Sequence, residues 1–284
     1  MSSLPKIIGG GFNLAGMVAP VWAGKRLAAL FLTPIPRMGA SEWPTELLAQ
    51  STETTINVGG RALPTWKFGD SSRKAVFCHG WGGCGANSQT MVTELLEAGF
   101  EVHAFDGPSH GDDRRVPTNL LEFAESIAEL DQLHGPFTAA IGHSFGGGAV
   151  VLALGRGFDP AHAVLIAPMI DSYAATDYFS DQLGLSDRLR SRLATALQER
   201  FREYPEAEKA WDLADWAKTH TTPARIFHDP ADPRVPYAAA VRAADNWENC
   251  TITAVADVGH QEILKDPAVL NELVDFVSVI SPPT

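Results

Sequence analysis

Gly142-His143-Ser144-Phe145-Gly146 reads G-x-S-x-G between the apolar run Phe137-Thr138-Ala139-Ala140-Ile141 and the small, apolar stretch Gly147-Gly148-Ala149-Val150-Val151-Leu152-Ala153. The local reading is a strand, a sharp turn carrying a serine nucleophile, and a helix. Glycines two places either side of Ser144 permit a turn at which a Cβ would collide with neighbouring chain, and that turn holds the hydroxyl exposed above a sheet. Five such residues alone are a cheap pattern. The strand before them and the helix after them give the pattern its weight.

Outward from this turn the chain alternates. Short, nearly continuous apolar runs at 75–78, 100–105, 137–141, 163–167, 224–227 and 251–255 predict strands covered on both faces, hence a parallel sheet. Between them 87–98, 120–133, 144–154, 237–247 and 267–279 carry helical spacing, so the class is α/β. Two β-branched runs, 54–58 and 61–68, joined by Gly59-Gly60, predict a hairpin ahead of the sheet. The interval 171–222 holds no convincing strand and is rich in charge and helix formers, with helices expected at 183–204 and 207–218; it reads as an inserted helical cap. The expected organisation is an N-terminal apolar arm over 1–50 and one α/β domain over 51–284.

A chain of 284 residues is long enough for one large core. A net charge of -12 and the lack of a dense Lys/Arg stripe argue against a nucleic-acid partner, because phosphate contacts need clustered cations. Cys78, Cys84 and Cys250 are odd in number with no close-spaced pair, so neither a disulfide framework nor a zinc knuckle is indicated and a reducing, cytoplasmic compartment is expected. His79, His103, His110 and Asp112 offer metal-binding side chains but no His-x-His or His-Glu-x-x-His spacing, so no metal and no cofactor are expected. Residues 7–24 are uncharged between Lys6 and Lys25-Arg26. Gly9-Gly10-Gly11, Asn13, Gly16 and Pro20 make this stretch a poor helix core, and positive charge at both ends is not an export-signal pattern. It is expected to be an apolar arm packed on the body rather than a membrane anchor.

A serine hydroxyl is a weak nucleophile at neutral pH, so a base must take its proton and a carboxylate must hold that base in the right tautomer. Asp232 follows the run 224–227 within His228-Asp229-Pro230-Ala231-Asp232-Pro233-Arg234-Val235-Pro236, and His260 follows the run 251–255 in Asp257-Val258-Gly259-His260. Ser144, Asp232 and His260 thus fall at strand ends, on the edge where open parallel sheets place ligands. Asp229 is the nearest rival for the orienting acid, with Asp257 and Asp171 more distant.

With these residues the chain resembles the α/β-hydrolase superfamily over 54–280, through Gly142-His143-Ser144-Phe145-Gly146, Asp232-Pro233-Arg234-Val235-Pro236 and Gly259-His260. The resemblance implies a mostly parallel twisted sheet flanked by helices, with Ser144 as nucleophile, His260 as base and Asp232 orienting it. His79-Gly80-Trp81-Gly82-Gly83, directly after the run 75–78, is similar to the oxyanion loop of such hydrolases. The resemblance assigns the two backbone N–H donors to Trp81 and Phe145, each stabilising an oxyanion by about 3–4 kcal/mol. The turn Asp106-Gly107-Pro108-Ser109-His110-Gly111 is read as structural, with Asp106 bonding the turn's own backbone.

Trp81 and His143 are candidates for the substrate pocket beside the nucleophile. Trp211 and Trp216 either line an acyl pocket under the cap or glue the cap to the body. Arg188, Arg190, Arg192, Arg200 and Arg202 read as a solvated face paired with Asp187, Glu199 and Glu203, and Cys84 as a small filler. The expected function is hydrolysis of a carboxylic ester or related small acyl compound through an acyl-enzyme on Ser144. Carbon–carbon bond hydrolysis and acyl transfer use the same triad, and a non-catalytic binding protein is the alternative from another class. Oligomeric state stays open.

Overall fold

A computed structural model of the chain describes residues 4–34, 42–113, 116–202, 204 and 211–279. Its eight strands are β1 Ser51–Val58, β2 Arg61–Phe68, β3 Lys74–Cys78, β4 Glu101–Phe105, β5 Ala139–His143, β6 His162–Ile166, β7 Ala224–His228 and β8 Cys250–Ala254. They form one sheet in the order β1-β2-β4-β3-β5-β6-β7-β8. β2 is antiparallel to both its neighbours, β1 and β4, and every pair from β4 through β8 is parallel.

The helices are α1 Leu4–Val18, α2 Pro20–Phe31, α3 Thr45–Leu48, α4 Gln89–Glu97, α5 Leu120–His134, α6 Phe145–Leu154, α7 Ser172–Leu183, α8 Asp187–Phe201, α9 Leu213–Trp216, α10 Tyr237–Asn246, α11 Gly259–Glu262 and α12 Pro267–Ser278. One face of the sheet packs on α5, α6 and α10, through side chains such as Phe123, Val150 and Trp247. The other packs on α4 and α12, through Met91, Leu95, Leu270 and Leu273. Two-sided burial explains the uninterrupted apolar strands. β8 departs from that expectation: it is an edge strand at the parallel end of the sheet, and all five of its residues are exposed or half-buried.

The glycine-rich N-terminal stretch departs further, because it is helical. Gly costs up to about 1 kcal/mol in a helix interior relative to Ala, yet here it permits contact that no larger residue allows. A Cβ on Gly9 would stand 1.7 Å from the Leu183 carbonyl oxygen, on Gly16 2.7 Å from Leu189 Cδ2, and on Gly24 2.7 Å from the Arg192 carbonyl oxygen. Asn13 clasps the turn between α7 and α8: its Nδ2 donates to the Gly184 carbonyl and its Oδ1 accepts the Ser186 N–H, both at 2.9 Å. Pro20 opens α2, where the missing N–H costs nothing. Ala23, Leu27 and Ala28 of α2 then join Leu189, Leu193 and Leu197 of α8 in a third apolar cluster, separate from the two on the sheet. Among the described residues no helix is long and apolar enough to cross a membrane.

Between β6 and β7 the expected helix 183–204 begins later, at Asp187, because Gly184 takes a left-handed conformation that ends α7. α7 carries no separate expectation from the sequence. Residues 205–210, which include the start of the expected helix 207–218, and Glu203 of the expected charged face lie outside the described residues. The remainder of that expected helix is the short α9 and a turn of tighter helix over Ala217–Thr219. Arg190 pairs with Asp181 of α7 at 2.5 Å, rather than with a carboxylate of its own helix.

Candidate active site

The turn after β5 is strained. Ser144 has φ 54° and ψ -118°, a region that L-residues adopt at a cost of about 1–3 kcal/mol and keep where the surroundings enforce it. Here they do: the Ser144 N–H donates to the Ile166 carbonyl, and its carbonyl accepts from Gly147, Gly148 and Met169. A Cβ on Gly142 would lie 2.5 Å from the Gly146 oxygen, and one on Gly146 2.1 Å from the Cys78 oxygen. The turn therefore requires both glycines, and it sets the Ser144 hydroxyl at the N-terminus of α6.

Loops after β7 and β8 bring the partners. His260 Nε2 is 2.9 Å from Ser144 Oγ, and His260 Nδ1 is 2.5 Å from Asp232 Oδ2. With Nδ1–H donating to the carboxylate, Nε2 is left to accept from the serine hydroxyl. Burial raises the Asp232 carboxyl, but hydrogen bonds from His228 and His260 outweigh it and hold the group well below the usual carboxylate range. Asp232 Oδ1 also accepts the Arg234 and Val235 N–H groups at 2.8 and 3.2 Å. Fully buried His228 directs Nε2 at the Val235 carbonyl and, at 3.5 Å, at Asp232 Oδ2. Its part was not legible in the sequence, where it reads as the first residue of the loop after the run 224–227, whereas it closes β7.

Asp229 lies one step away. Its Oδ1 accepts the Ala231 N–H and its Oδ2 the Gly259 N–H at 2.6 Å, and these donors, Ala231 first, hold its carboxyl low. It ties the Asp232 loop to the His260 loop. Asp257 takes a left-handed turn, φ 63°, in the latter loop, and Asp171 caps α7 by accepting from Tyr173 and Ala174.

The loops after β3 and β4 are cross-stapled by two fully buried histidines. His79 of the first accepts the Gly107 N–H of the second on Nε2, and His110 of the second accepts the Gly82 N–H of the first on Nε2, at 2.8 and 2.9 Å. The Nδ1 atoms face the Gly80 and Pro108 carbonyls, so each ring is a neutral tautomer with one donor and one acceptor. Burial pushes His79 down to about 4, which keeps it neutral. Asp106 accepts the Gly85 N–H at 2.7 Å and so also reaches across to the β3 loop, beyond the turn it was expected to serve. Buried Cys84 donates its backbone N–H to Asn87 Oδ1 in the same loop.

A cavity of about 390 Å³ opens over Ser144 and His260. Trp81 and Phe145 both line it, and among the described residues neither backbone N–H has a hydrogen-bond acceptor. Of the other pocket candidates, Trp211 lines an adjoining lobe that shares Phe31, Phe145 and Met169 with the main cavity. His143 is buried behind the serine, its Nε2–H donating to the His260 carbonyl at 2.8 Å, and is no wall of the cavity. Trp216 is packed into the sheet's core against Gly155. No signal in the sequence pointed to several further walls: Leu30 to Thr33 of the N-terminal segment, Tyr178 and Phe179 of α7, and Met169. These residues meet across more than a hundred positions of chain, where local pattern carries no information. Among the described residues no group of three or more His, Cys, Asp or Glu side chains is gathered to hold a metal ion.

A protein of Mycobacterium phage D29, provisionally named a non-heme haloperoxidase, is 32% identical over 128 residues, covering 44% of this chain and 45% of that protein. The chain therefore matches less than half of that relative's length. Among solved structures, an esterase of Pyrococcus furiosus superposes with a TM-score of 0.65 at 16% identity, covering 86% of this chain and 98% of its own. An esterase of Exiguobacterium antarcticum gives 0.61 at 16%, covering 80% and 99%. A Butyrivibrio proteoclasticus protein with ferulic acid bound gives 0.61 at 20%, covering 79% and 96%. At such identities these superpositions show a shared fold. A model of the alpha/beta hydrolase family matches residues 75–273, a span that holds seven tenths of the chain together with Ser144, Asp232 and His260, and the chain belongs to that family.

Proposed function

We propose that this hydrolase cleaves a carboxylic ester with an apolar acyl group, through an acyl-enzyme on Ser144. One observation carries the reading: the relay Ser144–His260–Asp232, with contacts of 2.9 and 2.5 Å, opens into a mostly apolar cavity of about 390 Å³. Ser144 Oγ attacks the ester carbonyl carbon while His260 Nε2 takes the hydroxyl proton. The carbonyl oxygen becomes an oxyanion against the N–H groups of Trp81 and Phe145, and the positive end of α6 adds to their field. Collapse breaks the bond to the alkoxy group, which leaves as an alcohol with the proton from His260. Water then attacks the acyl carbon as His260 Nε2 takes its proton, and collapse breaks the Ser144 Oγ–acyl bond, releasing the acid while His260 returns the proton to Ser144 Oγ.

Asp232 orients His260 and balances its charge when protonated, a task suited to a carboxylate that stays ionised. α7 and α8 serve as the cap, and the C-terminal end of α2 completes it by supplying Phe31, followed by Leu32 just beyond the helix, to the acyl wall. The substrate is a small acyl compound, with no cofactor in the scheme. Treatment with a fluorophosphonate probe, with the label located by peptide mass, tests this reading. Label on Ser144, absent from Ser144→Ala, is expected. A folded protein that takes no label would overturn it.

A further inference from the structure

The helix pair α1–α2 has two faces with different fates. Its inner face is spent against α7 and α8 through Gly9, Gly16 and Gly24. Its outer face carries Ile7, Leu14, Met17 and Val18 at helical spacing, then Val21 and Trp22 beyond Pro20, with Met17 71% and Val18 90% exposed. Most of the large apolar side chains that stand exposed among the described residues lie between Leu4 and Trp22. An apolar patch of this density on a soluble surface marks an interaction site.

The charges around the patch select the partner. Lys6, Lys25 and Arg26 are exposed, and none of them forms an ion pair among the described residues. The stretch 4–34 contains no Asp or Glu, although the chain as a whole carries -12. The Arg26 guanidinium lies 5.8 Å from the half-exposed Trp22 ring, a cationic and aromatic pair suited to headgroup depth. A stripe of apolar residues rimmed by Lys, Arg and Trp fits an anionic lipid surface: acyl chains meet the stripe and phosphates meet the cations. A second copy of this chain fits poorly, since a two-fold contact would set the same cations against each other. The patch is also continuous with the site, for α2 runs from Trp22 on the outer face to Phe31, which packs on Phe179 and lines the cavity over Ser144.

We propose that the outer face of α1–α2 docks the protein on an anionic lipid surface, with Ile7, Leu14, Met17, Val18, Val21 and Trp22 against the acyl boundary and Lys6, Lys25 and Arg26 on headgroup phosphates. Resting on the ester-hydrolase reading, the cavity then takes acyl esters dissolved in that surface.

The full chain is sedimented with vesicles of phosphatidylcholine and phosphatidylglycerol in equal parts, and with vesicles of phosphatidylcholine alone. A triple variant, Leu14→Glu with Met17→Glu and Val18→Glu, is run beside it; all three positions lie outside the cavity. The wild type is expected to pellet with the mixed vesicles, less so with the neutral ones and less at high salt. The variant should stay in the supernatant, hydrolyse a soluble short-chain ester at the wild-type rate, and lose at least about tenfold on an ester dissolved in mixed vesicles. Wild type left in the supernatant, or pelleted equally with the variant, overturns the docking surface. A wild-type dimer by light scattering that becomes monomeric in the variant, without vesicle binding, overturns it in favour of a contact between copies. Vesicle binding with no turnover of either ester upholds the docking surface and overturns the ester reading alone.

Discussion

The strand-end loops and the helical layer above them are built on opposite terms. Around Ser144 the loops are locked by polar, directional contacts: His79 and His110 staple the β3 and β4 loops, Asp229 staples the β7 and β8 loops, and His143 holds the His260 carbonyl. In the layer made by α1, α2, α7 and α8, contact rests on glycines at close approach and on a leucine-rich cluster, with Asn13 as a polar clasp. Chemistry needs atoms placed to within fractions of an ångström, which oriented hydrogen bonds on short loops provide. A pocket wall needs shape and apolar surface, which packing provides and which tolerates repacking.

The largest separation between the two regions should appear in turnover. Ser144→Ala or His260→Ala should lower kcat by several orders of magnitude with the fold intact, and Asp232→Asn by on the order of 10⁴ through the wrong imidazole tautomer. Asp229→Asn, which touches only the scaffold of those loops, should lose far less. Steady-state kinetics on one ester checks all four, and an Asp229→Asn loss equal to that of Asp232→Asn would reverse the two roles.

Acid should act on the strand-end region through His79. Burial holds His79 at about 4 against its ordinary 6.5, so between those values the unfolded chain binds a proton that the folded chain refuses. Its contribution, on the order of 3 kcal/mol, is complete above about pH 6.5 and declines as pH falls towards 4. Urea midpoints at about pH 7 and pH 4.5 should therefore differ less in His79→Gln than in the wild type.

The helical layer is sharpened by its glycines. Gly16→Leu drives a side chain into Leu189 and should cost about 1–3 kcal/mol, and it should alter the preference between long- and short-chain esters while Ser144 still takes a phosphonate label. Gly10→Ala is the smallest change and has the opposite sign. Its Cβ meets nothing within 4 Å, so up to about 1 kcal/mol of added stability is expected from helix propensity. A Gly10→Ala melting temperature at or below that of the wild type would show that the face is not free.

By itself the sequence determined the parallel sheet, the strand-end placement of Ser144, Asp232 and His260, and the glycines of the nucleophile turn. Each of these is encoded within a dozen residues, by an apolar run followed by turn chemistry. The register of β5, which starts two residues later than the apolar run, and the edge position of β8 were only partly legible, because pairing decides them. Tertiary structure alone decided that 4–18 and 20–31 are helices, since Gly9 and Gly16, which read as helix breakers, are contact points with α7 and α8, far along the chain. It also decided that His143 and Trp216 face the core, and that Phe31 and Leu32 face the cavity. Strand and turn signals are local and can be read along the chain, whereas the space left between two helices exists only once both have been packed.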